Sequence, residues 1–181
     1  MRYYRIRQDR HLRNRITFQD LEGCPNLVFD KETIRDFKRS SVLYVQGDKN
    51  SQYPDLFESP VLLISEKLFD IIRYYDAEVE FRIAVLTDLK QKRQDVYRLM
   101  VPKVEDALSE QTIYFKNGFL DTPVLKRNLC PQRRIFYVTE GYTYQLIVTE
   151  DVLESILARN SIGILYAVSY THLTLPTNSR V

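Results

Sequence analysis

Six arginines crowd the first fifteen residues of this chain, Arg2, Arg5, Arg7, Arg10, Arg13 and Arg15, against a single acid, Asp9. Such a stretch suits an acidic partner or a nucleic-acid backbone, because closely spaced guanidinium charges neutralise clustered anions. The plainer reading is a strand whose outer face is merely charged. The alternation of RYYRIR favours it, with Tyr4 and Ile6 on one side and Tyr3, Arg5 and Arg7 on the other. A second basic cluster, Lys90, Lys92 and Arg93, falls in the charged stretch DLKQKRQD, which reads as a turn. As a surface for a binding partner, Arg2, Arg5 and Arg7 are therefore the first choice and Lys90, Lys92 and Arg93 the second.

The other residues able to do chemistry point away from catalysis. Of the two histidines, His11 lies in the basic, surface-like RQDRHLRNR and His172 near the end of the chain. One usable histidine supports neither a His-rich metal site nor a credible triad base. Cys24 and Cys130 are far apart and lack metal-ligand spacing. They read as reduced thiols packed as small hydrophobes, with a disulfide between them as the alternative. The five glycines are isolated, with no GxGxxG and no Walker-type loop to cradle a phosphate. Glu66, Asp70, Glu150 and Glu154 stand at helix starts and on solvated helix faces rather than as a facing acid–base pair. No catalytic, metal-binding or cofactor-binding residue is expected, and the chain reads as a non-enzyme.

Composition bounds the class. The 26 Lys+Arg nearly balance 24 Asp+Glu, which weighs against a dedicated nucleic-acid binder. A 44% hydrophobic content over 181 residues is enough for one packed domain. The start, MRYYRIRQDR, has no apolar run to serve as a signal, and VLLI and IGILYAV are strand-sized. A cytoplasmic protein without a membrane segment is the expectation.

The elements that would position these residues follow from periodicity. Asp30 is a candidate cap for a helix through KETIRDFKR, and SSVLYVQG reads as a strand. Leu62 to Ile64 form a short buried run; Ser65 then caps a helix whose stripe is Leu68, Ile71, Ile72 and Tyr75, with Glu66 favoured by the helix dipole. EVEFRIAV alternates, which places Val79, Phe81, Ile83 and Val85 inward and makes Val79 to Val101 a hairpin. Strands are also expected at TIYF, RIFYV and YTYQLIV, with turns at Gly118 and Gly141. Tyr142 and Tyr144 share a face with Leu146 and Val148, so they read as core.

An internal echo connects two of these units. Leu63-Ile64-Ser65-Glu66 matches Ile147-Val148-Thr149-Glu150; Leu68, Phe69 and Ile72 then match Val152, Leu153 and Ile156, and Phe81 matches Leu165. Each copy is strand, hydroxyl cap, acidic first turn, amphipathic helix, strand. Two similar units explain the echo, as a duplication also would. The fold class is α+β, a mostly antiparallel sheet with about three helices.

The closing VSYTHLTLPT reads as an in-frame translation of a transposase sequencing adaptor, so residues 1–167 are expected to form the single domain. Residues 168–181 are then a non-native, disordered tail without core contacts, and the natural chain continues differently.

MRYYRI, SPVLLISEKLFDIIRYYDAEVEF and IFYVTEGYTYQLIVTEDVLESILARNSIGIL together resemble, in order and layout, the myxobacterial-type immunity protein family of bacterial polymorphic toxin systems, formerly a domain of unknown function. The resemblance spans nearly all of Met1 to Tyr166, is strongest from Ile135 to Leu165, and is loose from Asp9 to Asn50. It implies a cytoplasmic, non-enzymatic protein that binds and neutralises a cognate toxin. It supplies no set of contact residues. The alternative is a nucleic-acid-associated module using the arginine-rich N-terminus.

Overall fold

Ser65 and Thr149 each stand before an acid and an apolar stripe, and each begins a helix. The computed structural model describes residues 2–19, 40–126, 133–140 and 143–171. Helix α1 (Glu66–Tyr75) is capped by the Ser65 hydroxyl, which accepts from the Leu68 N–H at 3.4 Å, and it buries Leu68, Ile71 and Ile72. Helix α2 (Glu150–Ala158) buries Val152, Leu153 and Ile156; there the Thr149 hydroxyl bonds to Asp151 and makes no cap. The helices pack together, and Tyr75 Oη lies 2.7 Å from Ser155 Oγ. These are the two helices among the described residues. The expected helix after Asp30 lies outside them, as do Cys24, Cys130, Gly141, Tyr142 and His172.

The strands in chain order are β1 (Tyr3–Gln8), β2 (Thr17–Phe18), β3 (Ser40–Gln46), β4 (Leu56–Phe57), β5 (Leu63–Ser65), β6 (Glu80–Asp88) and β7 (Arg93–Val101). They continue with β8 (Ile113–Tyr114), β9 (Leu120–Thr122), β10 (Val124–Leu125), β11 (Ile135–Glu140), β12 (Thr143–Thr149) and β13 (Ile164–Thr171). Two larger sheets result, ordered β10-β13-β1-β12-β11 and β2-β3-β6-β7-β5-β4, with β8 and β9 forming a separate ribbon. Pairing is antiparallel except for β3 with β6 and β10 with β13. The chain is α+β and mostly antiparallel.

The echoed segments are two split strand–helix–strand units. In one, β5 and β6 lie on either side of β7 and antiparallel to it; in the other, β12 and β13 flank β1 in the same way. Across the middle strand, Leu63 and Arg82 share Leu99, whereas Ile147 and Ala167 share Arg5. The second path is therefore one residue longer. By register, the counterpart of Phe81 is Tyr166 and not Leu165, which points to the other face and is exposed.

One core lies where both helices meet both sheets and holds Leu68, Ile72, Leu153 and Ile156, with Phe81 packed on its edge. A second fills the other face of the six-stranded sheet around Phe57, Leu63, Leu86 and Leu99. A third lies on the far face of the five-stranded sheet, where Ala107, Leu120 and Leu125 cover Tyr3, Phe136, Val138 and Ile147.

Three expectations are corrected. Strand β1 has no freely exposed face: Tyr3 and Ile6 are both buried, on opposite sides, because the sheet is covered on both faces. In β6 the inward set changes along the strand. Val79 and Phe81 face α1, the Phe69 and Phe81 rings meeting edge to face at 4.9 Å, but Ile83 is 36% exposed while Ala84 and Leu86 are buried opposite. A ten-residue helix is about 15 Å long and nine strand residues run about 30 Å, so the helix covers one end only. Finally, the expected tail begins inside β13. Val168 and Ser169 pair with Tyr4 and Tyr3, Tyr170 and Thr171 pair with β10, and buried Ser169 donates to the Pro123 carbonyl at 3.1 Å. Residues 172–181 lie outside the described residues.

Leu153→Ala should cost about 2–5 kcal/mol in a urea titration, from lost burial plus the cavity left behind, and Phe81→Ala less because the ring is partly exposed. Truncation after Ala167 should destabilise by clearly more than the ~0.5 kcal/mol of a neutral surface change. An unchanged midpoint would show that the β13 end contributes nothing.

Candidate functional site

The charged alternation of β1 places Arg5 and Arg7 on the face of Tyr3, but past the end of the apolar layer that covers Tyr3. Arg5 is half-buried there. Its Nη1 donates to the Asp121 carbonyl oxygen and, at 3.1 Å, to Gln145 Oε1, while Gln145 Nε2 donates to the Leu120 carbonyl at 3.0 Å. Burial, and then the neighbouring charge of Arg7, holds the Arg5 pKa below its ordinary value, against the pull of Asp121 and Glu58. It remains a cation at neutral pH. Arg7 is exposed, and Arg10 follows in the turn where the Asp9 N–H donates to the Gly163 carbonyl at 2.8 Å. Neither Arg7 nor Arg10 has a salt-bridge partner among the described residues.

These three arginines line a cavity of about 420 Å³ at the end of the five-stranded sheet. Glu58, just after β4, enters it with its backbone N–H donating to Gln8 Oε1 at 3.3 Å. Burial pushes the Glu58 carboxyl above the usual carboxylate range; the Gln8 backbone and the charges of Arg10, Arg7 and Arg5 oppose the rise without cancelling it. Tyr137 and Tyr144 meet edge to face at 5.7 Å on one wall. Burial, followed by the charges of Glu58 and Tyr144, also raises the Tyr137 phenol. On the rim stand Phe115 and Phe119, 55% and 51% exposed. A tight turn holds them: the Phe115 N–H donates to the Phe119 carbonyl at 2.9 Å, and Gly118 takes the left-handed conformation at φ +81°. Three arginines against the two carboxylates of Glu58 and Asp121, with phenols and two exposed rings, suit the capture of an anion that carries an apolar or aromatic part.

Of the residues expected to bind a partner, Arg5 and Arg7 meet here. Arg2 instead pairs with Glu150 at 3.2 Å. Lys90, Lys92 and Arg93 sit at the β6–β7 turn of the other sheet, and none of them lines the cavity. Arg93 is committed to Asp95 at 2.6 and 3.0 Å and lies over the Tyr53 ring at 3.6 Å. His11 is exposed, its N–H donating to Asp9 Oδ1 at 2.8 Å. Sequence reasoning missed Glu58, Asp121, Gln145 and the pair Phe115 and Phe119. Only the last had a signal, an aromatic on each side of the Asn117-Gly118 turn.

Among the described residues no group of three or more His, Cys, Asp or Glu gathers to hold a metal, and no helix is long and apolar enough to cross a membrane. No model of a known protein family matches the chain, and no curated protein does.

Because its pKa is raised on folding, Glu58 holds its proton more tightly in the folded chain; its stability contribution is greatest in acid and is lost as pH rises through the folded pKa. Glu58→Gln should therefore be more stable than the parent at about pH 7, and the advantage should vanish below the ordinary Glu value of about 4.3. Urea titrations of both chains at the two pH values check this; a difference independent of pH would contradict it.

Proposed function

We propose that this chain is an immunity protein that neutralises a cognate toxin by stoichiometric binding in the cytoplasm, without catalysis. The layout resemblance supports the class. The observation that carries the binding mode is the pair of exposed cations Arg7 and Arg10, which have no salt-bridge partner among the described residues, beside the exposed rings Phe115 and Phe119. Charge at the edge of an interface steers association and selects the partner, while exposed aromatic rings supply the buried area that holds it. The partner surface is accordingly acidic with an apolar centre. Arg2 and Arg93, already paired within the chain, contribute less than Arg7 and Arg10.

Co-expression with the product of the neighbouring gene tests the class, scored by rescue of growth, and calorimetry tests the one-to-one ratio. Replacing Arg7 and Arg10 with alanine should slow association by about tenfold at low salt and flatten its salt dependence. Absence of rescue, together with duplex DNA binding that falls steeply as salt rises, would instead assign the arginines to a nucleic-acid backbone.

A further inference from the structure

The cavity's volume of about 420 Å³ lies within the range of about 300–1,000 Å³ common for small-molecule sites. Its lining divides into three chemistries. Arg7 and Arg10 carry guanidinium charge that the described residues leave without a salt-bridge partner, whereas Arg5 is anchored to Asp121 and Gln145. Glu58 and Tyr137 line the interior with a carboxylate acceptor and a phenol. Phe115 and Phe119 present half-exposed rings on one hydrogen-bonded turn at the mouth.

We infer that the cavity is a binding site for a nucleoside monophosphate: the phosphate on Arg7 and Arg10, sugar hydroxyls donating to Glu58, and the base stacked against Phe115 or Phe119. Each part matches one lining chemistry. Planar guanidinium groups pair with phosphate oxygens, and every base offers a face that stacks on an aromatic ring. A free phosphate would leave the rings and Glu58 unused, and Glu58 would only repel it. A nucleoside without phosphate would leave the cations unused. The inference goes beyond the toxin-binding reading and does not depend on it, since the ligand fills the cavity and requires no second protein.

Calorimetric titration of the full chain with AMP, adenosine, inorganic phosphate and a single-stranded oligoadenylate tests it. AMP should saturate at one site, and both adenosine and phosphate should bind at least about tenfold more weakly, each lacking one set of contacts. The double variant Arg7→Gln, Arg10→Gln should lose about tenfold or more for AMP. The double variant Phe115→Ala, Phe119→Ala should weaken AMP by a similar factor and leave phosphate unchanged, while Glu58→Gln should tighten phosphate. The four arginine and phenylalanine side chains are exposed, and circular dichroism of each variant checks that it folds. Failure of AMP to saturate the parent chain would overturn the site, as would retention of AMP affinity within about twofold in the arginine variant. Oligoadenylate bound more tightly than AMP, with affinity that grows with length, would replace the mononucleotide site by a single-strand surface. None of these outcomes bears on growth rescue by co-expression, so the two readings fail separately.

Discussion

Strand β1 must satisfy a ladder on each edge and an apolar layer on each face while carrying three arginines at its alternate and flanking positions. It lies between β12 and β13, antiparallel to both, and without it the β12–α2–β13 unit of the five-stranded sheet has no middle strand. Tyr3 and Ile6 meet the two layers; Arg5 meets the place where one layer ends. A guanidinium in that position needs acceptors fixed for it, and Asp121 and Gln145 supply them. Arg7, one step further along the same face, has left the protein's own acceptors behind. The site therefore arises from where cover stops along an alternating strand.

The same geometry explains why charged groups and exposed aromatic rings line one cavity. The segment that closes the far face, with Ala107, Leu120 and Leu125, also carries the turn that presents Phe115 and Phe119. On the opposite side, Glu58 is held in place through buried Gln8 of β1. One strand thus positions Arg5 and Arg7 directly and the carboxylate through a side-chain amide, and the aromatic rings come with the layer that covers it. A change at β1 is transmitted to all three.

Much of the scaffold was legible in the residues. Ser65 before Glu66 with a Leu68, Ile71, Ile72 stripe announced α1, where cap and periodicity agree locally, and the matching stripe after Thr149 announced α2 by periodicity alone. The echo over 84 residues marked two related units, although its one-residue slip at β13 depends on a register that no local pattern records. The double cover of β1 was not legible: the second layer comes from around residues 107–125, a hundred positions away. For the same reason Ile83 read as core, since alternation shows that a strand has two faces but not how far a helix reaches along one of them. Glu58 lies in FESP, without periodicity, and only the fold brings it to the arginines.

The central claim is that Arg7 and Arg10, and not the other N-terminal arginines, form one anion-receptive site. Side-chain Nε–Hε resonances of the arginines, followed by NMR while phosphate is titrated into the full chain, test it most directly. The account predicts that Arg7 and Arg10 shift together and saturate, that Arg5 shifts less because its Nη1 is already held by two acceptors, and that exposed Arg13 and Arg15 hardly respond. Equal, non-saturating shifts at all the exposed arginines would contradict it and leave β1 as a strand with a merely charged edge.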